Sequence, residues 1–150
     1  MIALPAQIRT KRISAKLSRS DGTRALVDRL WPRGIAKEQS ALHAWLKHLG
    51  PSEELKTWFQ QNPESWAMFR KRYLKELHEL NAVSALEELH RLAAQPKRLT
   101  LLFASKDEQH NNAVVLREVL EGIRKPPTGT GPGALRLMNQ RQSKRMSTLR

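Results

Sequence analysis

No cysteine occurs in the 150 residues. That absence excludes disulfides, thiolate nucleophiles, CxxC redox pairs and cysteine-ligated zinc, and it fits a reducing compartment. Long apolar runs are missing too. Nothing approaches the roughly 20 residues of a membrane span, and the opening MIALPAQIRTKRI lacks the apolar core of a secretory signal. There is no P-loop, GxGxxG or HExxH motif, and no internal repeat. Acidic charge is absent from one end: residues 125–150 hold six Lys/Arg and no Asp or Glu. These absences lead to the expectation of a soluble, cytoplasmic protein that borrows none of the common nucleotide, metalloprotease or thiol motifs.

What the chain has in excess is positive charge. The formal net charge is +13, and residues 1–124 carry 21 Lys/Arg against 14 Asp/Glu. A basic body followed by a basic tail attracts polyanions through long-range Coulomb forces. The tail has no aromatic ring on which bases would stack, so solubility and loose nucleic-acid contact explain it equally well. At 39% hydrophobic residues the length suits one domain with a real core and is short for two.

The apolar pattern reads as strands separated by helices. QIRTKRI, 7–13, reads as a short strand, and SRSDG, 18–22, as a turn built on Asp21-Gly22. RALVDRL, 24–30, reads as a strand whose run Ala25, Leu26, Val27 implies burial on both faces, the signature of a parallel sheet. Beyond Ile35, the spacing of Leu42, Trp45, Leu46 and Leu49 predicts a helix that Gly50-Pro51 ends. Ser52 caps a short helix with Glu53 and Glu54 in its first turn and Leu55, Trp58 and Phe59 inward. Asn62-Pro63 is expected to start a long helix with Trp66, Phe69, Tyr73, Leu77 and Leu80 on one stripe. A fourth helix is expected over 82–94, a second apolar strand over 98–104 (RLTLLFA), and a last helix over 112–123. KPPTGTGPG, 125–133, reads as a linker, and the residues after it as a weak basic helix or as disordered chain. The fold class is therefore α/β: a small, mostly parallel sheet covered by helices, three-layered and Rossmann-like, as one domain over 1–124 with a basic tail over 125–150.

Ligands of open parallel sheets bind beyond the carboxyl ends of the strands. Two such ends are loaded with chemistry here. The first is Asp28-Arg29-Leu30-Trp31-Pro32-Arg33-Gly34, and the second is Ser105-Lys106-Asp107-Glu108 followed by His110, Asn111 and Asn112. Arg29 and Arg33 suit a bidentate clamp on phosphate or carboxylate, or else ion pairs with Asp28, Asp107 or Glu108 that tie the loops together. Trp31-Pro32 is either a wall for a ligand ring or a plug on the core, and Gly34 serves backbone geometry. Asp107 as base, Lys106 as charge stabiliser and His110 as general acid or base would make the site catalytic. His110 is equally well a cap or surface residue. Asn111 or Asn112 caps the last helix, whose first N–H groups favour an anion. Ser105 has no nucleophile elbow around it, and Asp28, Asp107, Glu108 and His110 have no diagnostic metal-ligand spacing. The other histidines, His43, His48, His78 and His90, read as solvated, and Trp45, Trp58, Trp66, Phe59, Phe69 and Tyr73 as core.

The blocks DGTRALVDRLWPRGI, AWLKHLGPSEELKTWF, FRKRYLKEL and LTLLFASKDEQHNNAVVLREVLE together resemble the domain of unknown function 488 family, in its YeaO-like branch, over roughly residues 10–123. The resemblance implies a compact α/β domain with a pocket between the Asp28 to Gly34 and Lys106 to Asn111 blocks. It supplies no reaction and names no cofactor. Ser14 stands where the family's first strand usually leads into an aromatic residue. Phe103-Ala104-Ser105 stands where some relatives carry cysteine. The basic tail looks like an addition to the family core. Three functions follow as expectations. The first is a strand-end cleft for a small phosphate- or carboxylate-bearing ligand, with Arg33 and Arg29 on the anion, Trp31 as wall, Asp107 or His110 moving protons and Asp28 orienting an arginine; whether it catalyses anything stays open. The second is a nucleic-acid or ribonucleoprotein binding module using the basic body and tail. The third is a non-enzymatic interaction protein whose charged cleft is a structural ion-pair network.

Overall fold

The computed structural model describes residues 7–124. Four strands, β1 (Ile8–Arg12), β2 (Thr23–Leu26), β3 (Ala44–Trp45) and β4 (Leu99–Phe103), form one sheet in the order β1-β4-β2-β3, parallel at every pairing. Five helices accompany it: α1 (Lys37–Ser40), α2 (Glu53–Gln61), α3 (Trp66–Glu76), α4 (Leu80–Ala93) and α5 (Asn112–Arg124). This is the α/β class with a parallel sheet covered by helices. The body described below runs to Arg117, and residues 118–124 complete α5. The linker and tail expected over 125–150 lie outside the described residues. Among the described residues no helix is long and apolar enough to cross a membrane.

Central β4 explains the apolar run LTLLF: all five residues are buried, with neighbours on both edges and cover on both faces. Side chains alternate between faces. One face collects Leu26, Leu102 and Trp45 at adjacent register positions, and Ile13, Trp31, Ile35 and Leu42 pack there. Lower on that face the register brings Arg9, Lys11, Arg24 and Thr100 together. Asp21, fully buried, joins them: it accepts from Arg9 at 2.7 Å, from Lys11 at 2.9 and 3.0 Å, from Arg24 at 2.7 Å and from the Ser18 N–H at 3.1 Å. The Thr100 hydroxyl donates to the Asp21 carbonyl at 2.6 Å. Burial alone would raise this carboxyl, but the Lys11, Ser18 and Arg24 hydrogen bonds outweigh it and hold the pKa at about 2. One anion thus joins β1, β2 and the turn between them.

Three expectations are corrected. The helix expected from Leu42, Trp45, Leu46 and Leu49 is instead the one-turn α1, strand β3 and a single 3₁₀ turn over 47–49. Ala41 takes the left-handed conformation (φ 53°) and stops α1. The chain then pairs with β2, the His43 N–H on the Arg24 carbonyl at 2.9 Å and the Leu46 N–H on the Leu26 carbonyl at 2.8 Å. Eight residues of helical spacing lost to the chance of extending the sheet. Asn62-Pro63 does not start a helix: the Asn62 N–H ends α2 on the Phe59 carbonyl, its side chain donates to the Trp58 carbonyl, and α3 begins at Trp66. The long stripe also breaks after Leu77, since Leu80 opens α4 and is 84% exposed.

Candidate functional site

Asp28 stands just past β2, and Ala104 just past the neighbouring β4. The Asp28 carboxylate accepts the Ala104 N–H at 2.8 Å and so fastens the two strand ends together. Its carbonyl accepts the Trp45 indole N–H at 2.8 Å. Asn112, the first residue of α5, donates its amide to the Val27 carbonyl at 2.7 Å, which ties that helix to the end of β2. The sheet thereby fixes a floor of Asp28, Ala104 and Asn112.

Arg29, expected to clamp an anion, also ties down backbone. Its guanidinium donates to the Gly50 carbonyl at 2.9 Å and the Pro51 carbonyl at 3.2 Å. The Tyr73 hydroxyl takes the Leu49 carbonyl, and the Glu76 carboxylate accepts the Ser52 N–H at 2.8 Å and hydroxyl at 2.6 Å. Ser52 in turn caps α2 through the Leu55 N–H at 3.1 Å. Four consecutive residues are held by side chains, and α2 leaves this segment in a fixed direction. Gly50 is required here because a Cβ would lie 2.2 Å from the Arg29 nitrogen.

On the other side the loop after β4 folds around Asp107. One of its oxygens accepts the Gln109 N–H at 2.9 Å and the His110 N–H at 3.0 Å, and the other lies 3.4 Å from His110 Nδ1. The Gln109 hydrogen bond leads the causes that lower the Asp107 pKa. A carboxylate stabilised as the anion is a weaker base, and these hydrogen bonds hold the loop around Asp107. Buried Asn111 caps α5 by accepting the Val114 N–H at 3.0 Å and donates to the Asp107 carbonyl at 2.8 Å. The His110 ring packs on Trp66, centroids 4.9 Å apart.

Between these pieces lies a cavity of about 460 Å³. Of the residues singled out in the sequence, Asp28, Arg29, Ser105, Lys106, Asp107, His110, Asn111 and Asn112 line it. Trp31 and Arg33 do not. The chain turns at Gly34 (φ 79°), and Trp31 packs edge-on against Trp45, centroids 5.2 Å apart, with its indole N–H on the Ile35 carbonyl at 2.7 Å. Trp31 therefore belongs to the apolar cluster on the sheet, and Arg33 is exposed away from the cavity. Helix α2 supplies what sequence reasoning missed: Glu53, Lys56, Phe59 and Gln60, with Pro51 before it. Lys56, Phe59 and Gln60 stand at i, i+3 and i+4, so one helix face delivers a cation, a ring and an amide. That spacing was legible, but not which strand end it would overhang. Phe59 stacks on Phe69, centroids 4.4 Å apart, and both line the cavity.

Asp28 is the perturbed group on this floor. Burial raises its pKa, and the Ala104 N–H, the Asn112 side chain and the Lys56 charge only partly offset it. The wall is thus aromatic, the rim carries Lys56, Lys106 and His110 beside the carboxylates of Glu53 and Asp107, and the floor holds a third carboxyl, Asp28, whose pKa burial raises. Among the described residues no group of three or more His, Cys, Asp or Glu is placed to hold a metal ion.

Comparison with known proteins places this arrangement. The chain is similar to the uncharacterised protein YeaO of Escherichia coli, 42% identical over 120 residues that cover 77% of this chain and 98% of the relative. It is also similar to the uncharacterised protein Rv3073c of Mycobacterium tuberculosis, 35% identical over 116 residues, 77% of this chain and 95% of that one. No solved structure matches. The family model described as "Inactive DUF488-N3 subclade" matches residues 7–127, and the chain belongs to that family, within the YeaO-like DUF488 proteins.

Proposed function

We propose that this protein binds a small phosphate- or carboxylate-bearing ligand in the strand-end cavity, and that it binds without turning the ligand over. The observation that carries the reading is the convergence of Lys56, Lys106 and His110 on one cavity at the start of α5, where unpaired N–H groups favour negative charge. Two points favour binding over catalysis. Asp107, the expected base, is committed to its own loop, and the family description names an inactive subclade.

The test is thermal unfolding against nucleotides, sugar phosphates and carboxylates, using wild type, the double variant Lys56→Ala/Lys106→Ala, and Arg33→Ala. A ligand at about 100 times its Kd adds roughly 2.7 kcal/mol, a shift of several degrees in a domain of this size. Wild type and Arg33→Ala should shift together while the double variant does not. Equal shifts in all three would remove the cavity from the account.

A second reading, nucleic-acid binding, is favoured by the basic stretch Arg70-Lys71-Arg72 with Lys75 on α3, where Arg72 lies over the Trp58 ring at 4.3 Å, within a chain of net charge +13. Its mark is a log affinity that falls steeply with log salt. Salt-independent or absent binding to single- and double-stranded oligonucleotides would end it.

A further inference from the structure

The cavity is far larger than an inorganic anion needs. At about 460 Å³ it falls in the range of sites that enclose an organic ligand. A bare phosphate at Lys56 and Lys106 would leave two features unused, the Phe59–Phe69 wall and the acceptor positions of Asp28 beyond the one that the Ala104 N–H takes. The first calls for an apolar, planar group, because rings gain most from stacking on rings.

The second sets what that group must present. A carboxylate has about four lone-pair positions. Asp28 uses one on the Ala104 N–H at 2.8 Å; the Asn112 amide nearby gives its hydrogen bond to the Val27 carbonyl at 2.7 Å. At least two are left. Among the described residues no Lys or Arg forms an ion pair with it; Lys56 acts on it only at a distance. The vacant positions therefore suit neutral N–H donors, and a pair of them side by side. Lys56 stands one helical turn from Phe59 on the same face of α2, so a ring on Phe59 with an anionic arm would bring that arm to the lysine.

Resting on the anion-binding reading above, we propose that the cavity's ligand is a nitrogen heterocycle with two adjacent N–H donors and a phosphate, the donor edge on Asp28, the ring against Phe59 and the phosphate at Lys56 and Lys106. Among nucleoside monophosphates a guanine ring meets this requirement, with its ring N–H beside its amino group. Hypoxanthine keeps one of the two donors. Adenine presents an amino group beside an acceptor.

The experiment is isothermal titration of the full chain with guanosine, inosine and adenosine 5′-monophosphates and ribose 5-phosphate. The expected order is guanosine above inosine above adenosine monophosphate, with ribose 5-phosphate about a hundredfold or more weaker than the first, since it lacks both donors and each hydrogen bond to a charged group that is lost costs roughly tenfold. Asp28→Asn, which replaces one acceptor oxygen by a donor, should collapse the ratio of guanosine monophosphate to ribose 5-phosphate toward one. The three wild-type base comparisons carry the test if that variant does not fold. Equal affinity for all four ligands would overturn the heterocycle while leaving the anion site standing. A preference for adenine, or a ratio unchanged in a folded Asp28→Asn protein, would overturn the role of Asp28. No binding by any phosphate would overturn both this inference and the reading beneath it.

Discussion

Replacing Asp21 by Asn should cost this protein about 3 kcal/mol at neutral pH and change the shape of its acid denaturation. The carboxylate is fully buried and is shared by Arg9, Lys11 and Arg24 at 2.7 to 2.9 Å. Asparagine keeps the shape and removes the charge, leaving three cations facing one another. Breaking a buried pair in this way costs about 3–5 kcal/mol; the Arg9 side chain is 38% exposed, which places the expectation at the lower end. The pH dependence follows from linkage. The folded pKa, about 2, lies below the ordinary 3.8. The stabilisation is therefore complete above pH 3.8 and is lost as pH falls toward 2, and it amounts to about 2 kcal/mol. Urea unfolding followed by tryptophan fluorescence across this range reads both quantities. Wild type should lose stability steeply below pH 3.8, and Asp21→Asn should show a flatter limb. A variant as stable as wild type at neutral pH, or one with the same acid limb, would refute the claim that this one anion binds β1 to β2.

Asp28 should act with the opposite sign. Its folded pKa is raised by burial, so its ionisation costs stability progressively as pH rises from 3.8 through the raised folded value, and the cost is full above that value. The difference in unfolding free energy between wild type and Asp28→Asn, measured from about pH 3 to about pH 7, should fall with rising pH. Arg29→Ala should lose about 2 kcal/mol, because two carbonyls lose charge-assisted hydrogen bonds, and amide exchange should quicken in α2; Arg29→Lys should recover part of both. Gly50→Ala should destabilise by about 1–3 kcal/mol, since its Cβ would push against the Arg29 backbone; urea midpoints decide it.

The parts legible in the sequence are those where burial leaves an unambiguous pattern. LTLLF and the Ala25-Leu26 pair read as strands with cover on both faces, although β2 ends at Leu26 and not at residue 30 as expected, and they marked the two ends between which Asp28, Lys106, His110 and Asn111 meet. A cap at Asn111 or Asn112 was legible because such a side chain acts on its own next turn, and the structure gives the role to Asn111. Long-range partners left no such mark. Arg29 looked like an anion clamp because its acceptors, the carbonyls of Gly50 and Pro51, are backbone atoms that every residue carries. Trp31 and Arg33 shared the loaded stretch with Asp28, but the chain bends at residues 29–30, Trp31 joins the apolar cluster on the sheet and Arg33 is exposed. β3 was hidden because Leu42, Trp45, Leu46 and Leu49 satisfy a helical period, while the sheet edge that claims Ala44 and Trp45 lies some twenty residues earlier in the chain. Phe59 looked like core and Lys56 drew no reading, since a local pattern does not say what a helix overhangs.

The most direct measurement is a map of backbone amide chemical shifts as inorganic phosphate and then guanosine 5′-monophosphate are titrated into the full chain. The account predicts the largest changes at Ala104, Ser105, Lys106, Asn111 and Asn112, with Lys56 and Phe59 responding to the nucleotide. Changes confined to Lys71, Arg72 and Lys75, or spread evenly over the basic surface, would contradict a strand-end site.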